Sequence, residues 1–139
     1  MSGPQRVRID GPGSYEKLRL EGFDLPAPGP GEVRIAASHI GINYADCVVR
    51  MGLYKSAKEF VGWPITPGFE LSGVVEALGE GVDDLAPGEP VIGVTLFDGY
   101  SSHINLPRAQ VFRRPAALAA DAAAGVPAVF LTAWFALRE

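Results

Sequence analysis

Glycine and proline cut this chain into short apolar runs, and that spacing restricts what it can fold into. The 17 glycines and 12 prolines fall between segments too short for long helices, which is the punctuation of a mainly β domain. The clearest strands are expected at Glu32–Ser38, Ser72–Leu78, Pro90–Leu96, Tyr100–Leu106 and Gln110–Arg114. "RVRI" and "YEKLRLEGFDL" suggest an opening hairpin. Turns are expected in "PAPGPGE", "GEGVDDLAPGE" and "FDGY", where glycine and proline release or fix the backbone.

Three helices interrupt the strands. In the first, Tyr44, Cys47, Val48 and Met51 recur at helical spacing, which predicts an inward-facing stripe, with Asn43 as its cap and Gly52 as its stop. "LAADAAAG" predicts a small helix ended by Gly125. "VPAVFLTAWFALRE" starts with Pro127 suited to a first turn and then runs apolar on every side, Thr132 being the polar exception before the closing charges. A helix apolar all round needs cover all round. Residues 1–125 read as one unit, and 126–139 as the first helix of something further: an absent domain, or a surface docking into a second subunit such as a homodimer partner. The other reading tucks this helix into the domain's own core.

Composition narrows the function classes. With Cys47 as the single cysteine, an intramolecular disulfide and a four-cysteine zinc site are both excluded, and a reducing, cytoplasmic setting is the natural inference. A net charge of −4 with scattered basic residues argues against a nucleic-acid surface. The charged start has no signal-peptide core, and there is no apolar run of about 20 residues to span a bilayer. Cys47, His39 and His103 lie far apart in unlike elements, so no metal site is expected. The two histidines read better as satisfied strand residues and Cys47 as a buried apolar one. "GEGVDD" is the nearest approach to a dinucleotide loop, but its aspartates would repel phosphate, and it reads as a plain turn.

Polar residues then concentrate around the first helix: Asn43, Tyr44, Asp46 and, just past Gly52, Tyr54. From periodicity alone Tyr44 is equally a core residue, and Tyr54 equally a loop aromatic. Glu70, between Phe69 and Leu71, needs a hydrogen-bonding partner if it is buried.

Taken in order, "PAPGPGEVRIAASHIGINYADCVVRMGLY", "PITPGFELSGVVEALGEGVDDLAPGEPVIGV" and "DGYSSHINLPRAQVFRRPAALAADAAAGVPAVFLTAWFAL" resemble the N-terminal GroES-like catalytic domain of the medium-chain dehydrogenases/reductases. The branch most resembled is the zinc-free quinone oxidoreductases, with the vesicle amine transport protein 1 type and the enoyl reductase domains of polyketide synthases. The resemblance implies a partly open β-barrel with a few short helices and a Rossmann domain missing from this chain. Zinc-dependent relatives carry cysteine where this sequence has Asn43 and G-H-E where it has Gly68-Phe69-Glu70, which implies a site without metal.

What the resemblance implies for chemistry is hydride transfer from NADPH to an activated C=C bond of a quinone, enone or enoyl substrate. Asn43, Tyr44 and Asp46 would then line the nicotinamide and substrate cleft, and Thr132 would approach the nicotinamide. Tyr54 matches a proton donor, a role suited to a phenol, which is protonated at neutral pH; the catalytic set is thus Tyr54, Asn43 and Asp46. The cofactor-binding set is Asn43, Tyr44 and Thr132. Without its Rossmann domain the chain would bind NADPH weakly or not at all and be inactive alone. Two other readings stay open: an orphan small-molecule binding or assembly module, and a cofactor-free cyclase or isomerase using the same cleft.

Overall fold

The computed structural model describes residues 3–138. In chain order they form β1 (Gln5–Arg8), β2 (Arg19–Gly22), β3 (Glu32–Ile40), α1 (Tyr44–Arg50), α2 (Lys55–Phe60), β4 (Glu70–Leu78), β5 (Pro90–Val94), β6 (His103–Pro107), β7 (Val111–Arg113), α3 (Ala120–Ala124) and α4 (Val126–Arg138). Two single 3-10 turns, Tyr15–Lys17 and Arg108–Gln110, complete the set.

β3, β4, β5, β6 and β7 make one antiparallel sheet in the order β6-β3-β4-β5-β7, and β1 pairs with β2 in a second, two-stranded sheet. The fold is therefore mainly β with a few short helices, as the glycine and proline spacing leads one to expect. Alternation along β3 buries Val33 and Ile35 against Leu71, Val75, Val91, Ile104 and Leu106 of the neighbouring strands. Such alternation buries one face of a strand and leaves the other to polar residues. The β3–β4 register slips twice, between Arg34 and Ile35 and between Ala37 and His39. Each slip inserts an unpaired residue, which bends the strands and raises their twist.

A smaller core gathers Ile9, Val49, Ala57, Ile65 and Phe97, with Tyr54 and Phe69 packed on it. It forms because the chain beyond β1 is stitched to the loop before β4: Ile9 and Ile65 exchange both backbone hydrogen bonds, at 2.8 and 2.9 Å. The Val7 N–H reaches the Tyr100 carbonyl at 2.9 Å.

The helices show the main departures from the sequence reading. The expected inward stripe of α1 is reversed: Tyr44 is 81% exposed and Met51 is also exposed, whereas Asp46 and Val49 are the buried pair. Cys47 is half-buried rather than sealed in the core. A polar residue displaces the apolar face because its carboxylate is fully hydrogen-bonded there, as described below. Gly52 does end the helix, with φ +73° just beyond Met51, a conformation glycine takes without strain. α2 is a fourth helix that the sequence reading passed over; at six residues, several of them polar, it shows no apolar period. β6 begins at His103 rather than Tyr100, Ser101 making only an isolated bridge to Arg6.

α3 follows the expected alanine-rich segment, and Ala123 and Ala124 are buried where it lies against β3 and β4. α4 leaves Val129, Phe130, Leu131, Trp134, Phe135 and Leu137 exposed, and Pro127 is its buried residue among those described. Glu139, the last residue of the expected helix, lies outside the described residues. No helix among the described residues is long and apolar enough to cross a membrane.

The tightest approach in the sheet is at Gly73, where an added Cβ would collide with the Ala36 carbonyl of the paired strand. Gly73→Ala should therefore destabilise the domain by about 1–3 kcal/mol in urea unfolding, the range for overpacking a filled site. Gly11→Ala, with nothing within 4 Å of the new methyl, should be close to neutral.

Candidate functional site

A cleft of about 700 Å³ opens between the N-terminal end of α1 and the side of α4. One wall carries Asn43, Tyr44, Ala45, Tyr54 and Phe69, with Val94 and Thr95 from the end of β5. The opposite wall is α4 itself, through Pro127, Ala128, Leu131, Thr132 and Ala136. Among the described residues no Asp, Glu, Lys, Arg or His contributes to this lining. The cleft suits an uncharged, largely apolar molecule, with a few polar atoms to orient it.

The aromatic part of the wall is preassembled. Tyr54 lies 5.8 Å from Phe69 and 6.3 Å edge-on from Phe97, and Phe69 lies 5.9 Å from Phe97, measured between ring centroids. Tilted and edge-to-face pairs at such spacings are the favoured arrangements of aromatic quadrupoles. Tyr54 is half-buried at the start of α2, and its hydroxyl makes no hydrogen bond among the described residues. On the facing wall the Thr132 hydroxyl donates to the Ala128 carbonyl at 2.6 Å, one turn back. That bond uses its only proton and leaves its oxygen as an acceptor.

Two buried carboxylates stand behind the lining. Glu70 opens β4 and is 1% exposed. Its Oε1 accepts from Asn43 Nδ2 at 2.8 Å and its Oε2 from the Ala128 N–H at 2.7 Å. Ala128 is the third residue of α4, so the carboxylate satisfies one of the free donors at that helix end, where the helix field favours an anion.

The second is Asp46, 5% exposed. Its Oδ2 accepts from the Asn43 N–H at 2.8 Å and from the Tyr100 hydroxyl at 2.9 Å, and its Oδ1 from the Gly68 N–H at 3.1 Å. Burial pushes the Asp46 carboxyl above its ordinary value, and these three donors pull it part of the way back. Burial, together with the neighbouring Asp46 charge and hydrogen bond, also raises the Tyr100 phenol.

Asn43, Tyr44, Tyr54 and Thr132, nominated from separate parts of the chain, thus meet on one cleft. Asp46 departs from expectation: it is turned away from the cleft lining and braces the backbone at Asn43 and Gly68 from behind. Phe69 and Thr95 are lining residues outside the set expected from sequence, and for Glu70 the sequence implies a need for partners but no role. The need of a buried acid for partners was the available signal for Glu70; Thr95 gave none. His39 hydrogen-bonds Ser38, and His103 lies near Glu76. Among the described residues no three His, Cys, Asp or Glu side chains form a metal-binding group.

A family model for the alcohol dehydrogenase GroES-like domain matches residues 29–128. The chain belongs to that family. Within the medium-chain dehydrogenases/reductases it falls in the zinc-free branch. It is 36% identical over 133 residues to the synaptic vesicle membrane protein VAT-1 homolog of Rattus norvegicus, across 94% of this chain and 32% of that protein. The crystal structure of CurK enoyl reductase superposes with a TM-score of 0.88 at 31% identity, covering 95% of this chain and 41% of that one. The Escherichia coli quinone oxidoreductase complexed with NADPH superposes with a TM-score of 0.88 at 29% identity, covering 97% and 40%. This GroES-like domain spans about a third of the length of the curated relative and two fifths of those structures.

The raised Asp46 carboxyl gives a signed prediction. A group whose folded pKa lies above its unfolded one stabilises most at low pH, and that contribution is lost as pH rises through the folded value. Asp46→Asn cannot titrate. In urea unfolding the stability advantage of wild type over this variant should therefore shrink between about pH 3 and pH 7. An advantage that widens with pH would mean that the three donors outweigh burial.

Proposed function

We propose that this chain forms the substrate side of a zinc-independent, NADPH-dependent reductase acting on the C=C bond of a quinone, enone or enoyl compound, and that the 139 residues alone do not turn it over. The observation that carries this reading is the uncharged cleft on which an amide, a phenol and a threonine hydroxyl converge from the starts of α1 and α2 and from α4. The relatives named as quinone oxidoreductase and enoyl reductase, one of them complexed with NADPH, support the same assignment.

The residues present fit one end of such a cofactor. Asn43, Thr95 and Thr132 on apolar walls suit an uncharged ring bearing a carboxamide, and the Thr132 oxygen is an acceptor for its N–H. Among the described residues the lining offers no cation for phosphates, and Glu70 already occupies the N-terminus of α4, a position that elsewhere binds phosphate. The phosphate-bearing part therefore has no counterpart in this cleft. When bound, NADPH would supply a hydride to the electrophilic carbon of the acceptor.

This chain's own residues do the rest. Phe69, Val94 and Leu131 exclude water and hold a flat acceptor. Asn43, with one amide hydrogen committed to Glu70, has a second to offer an acceptor carbonyl, where charge accumulates as the hydride arrives. Tyr54 then gives its phenolic proton to the resulting enolate, which completes the reduction of the C=C bond. Tyr44, exposed at the cleft edge, extends the apolar wall. Asp46 acts here by fixing the Asn43 backbone rather than by exchanging protons. A reducing cytoplasmic location is consistent with this chemistry and with the single cysteine.

The test is direct. Naphthoquinone should quench the chain's fluorescence saturably, while naphthoquinone with NADPH should show no NADPH oxidation. Reductase turnover by these 139 residues would contradict the proposed inactivity, and absence of binding by any quinone or enone would contradict the substrate assignment. In a fusion to the nucleotide-binding portion of a relative, Tyr54→Phe should lower turnover roughly 10²–10⁴-fold, the usual contribution of a general acid, while leaving naphthoquinone binding close to wild type.

A further inference from the structure

The two walls of the cleft come from segments more than 80 residues apart, α1 near Asn43 and α4 near Ala128, and one buried side chain touches both. Glu70 accepts from the Asn43 amide through one oxygen and from the Ala128 N–H through the other. A carboxylate is an acceptor only, so the Asn43 group that faces it must be the amino end of the amide. Space has been kept for this contact: a Cβ at Gly41 would collide with Glu70 Oε1 and with the Ala124 carbonyl. The Gly41 N–H is itself bonded to the Glu70 carbonyl at 3.0 Å, so β4 holds the approach to α1 as well.

We propose that Glu70 is a positioning residue for the cleft, setting which face of the Asn43 amide is presented to a ligand and tying that choice to the seating of α4. The proposal rests on the reading of this cleft as the reaction site. Displacing α4 by a few tenths of an ångström lengthens one of two bonds that share a carboxylate, and the other partner must follow or lose its acceptor. Asn43 is therefore oriented from behind on both sides, with Asp46 holding its backbone N–H and Glu70 its side chain.

Glu70→Gln separates this from a purely structural role. The new amide puts an N–H₂ group against Asn43 or against the Ala128 N–H, so either one of the two bonds breaks or the Asn43 amide turns over to accept through its oxygen. In proton–nitrogen correlation spectra of the isotope-labelled chain, the Asn43 side-chain pair and the Tyr44 and Ala45 amides should move together with Ala128. Affinity for naphthoquinone should fall about tenfold, the equivalent of one hydrogen bond to a charged group. Ser72→Ala is the control: it removes a buried contact from the same strand to the Ala120 carbonyl of α3, and it should cost stability without moving the Asn43 pair or the affinity.

An unmoved Asn43 pair in Glu70→Gln, or equal loss of affinity in Glu70→Gln and Ser72→Ala, would overturn the proposal. If wild type binds no naphthoquinone, the functional reading fails, while the Asn43 resonances still decide the role of Glu70. If Glu70→Gln does not fold, Glu70→Asp keeps the charge and shortens the reach. It should release either the Asn43 pair or Ala128, and retention of both would count against the proposal.

Discussion

Burying a carboxylate is costly unless each oxygen finds a donor, and Glu70 meets that requirement with donors from two different elements. Much of the cleft follows from that single arrangement. β4 is the central strand of the sheet, paired on both sides, so the backbone that carries Glu70 is among the least free to move. From that fixed point one oxygen reaches the start of α1 and the other the start of α4. The cleft lies between these two helix ends.

The second buried acid works in the opposite direction. Asp46 faces away from the cleft and draws together the start of α1, the Gly68 turn and Tyr100. Because Gly68 precedes Phe69, bracing that turn also fixes the aromatic wall formed with Tyr54 and Phe97. The two carboxylates thus keep their charge out of the lining while ordering the residues that form it. On the proposed reading a neutral cleft suits a neutral acceptor, and Asn43, Tyr44, Tyr54, Thr95 and Thr132 carry the polar groups left to discriminate among ligands.

The strands were legible because glycine and proline mark their ends and because β3 alternates buried and open positions. α1 was legible as an element but not in its orientation. Periodicity favours Tyr44 and Met51 for the interior, whereas Asp46 gains three hydrogen bonds by being there, one from the nearby Asn43 N–H and two, from Gly68 and Tyr100, that are tertiary and that no local pattern encodes. α2 escaped because six residues contain too little of a period to detect. At the site, Asn43, Tyr44 and Tyr54 stand out as polar residues around the first helix, whereas their roles, and Thr132 altogether, come only through likeness to known reductases. Nothing local says that residues 43 and 132 face each other. Phe69 and Thr95 became visible only once β4 and β5 were side by side, and Glu70 gave a partial signal because a charged residue inside an apolar run demands partners.

The most direct test of the account is to titrate the isotope-labelled chain with naphthoquinone and map which backbone amides move. The account predicts saturable changes at Tyr44, Tyr54, Thr95, Leu131 and Thr132, on both walls of one cleft. Changes confined to the β1–β2 sheet or to the segment around Trp63, with α4 unaffected, would contradict it.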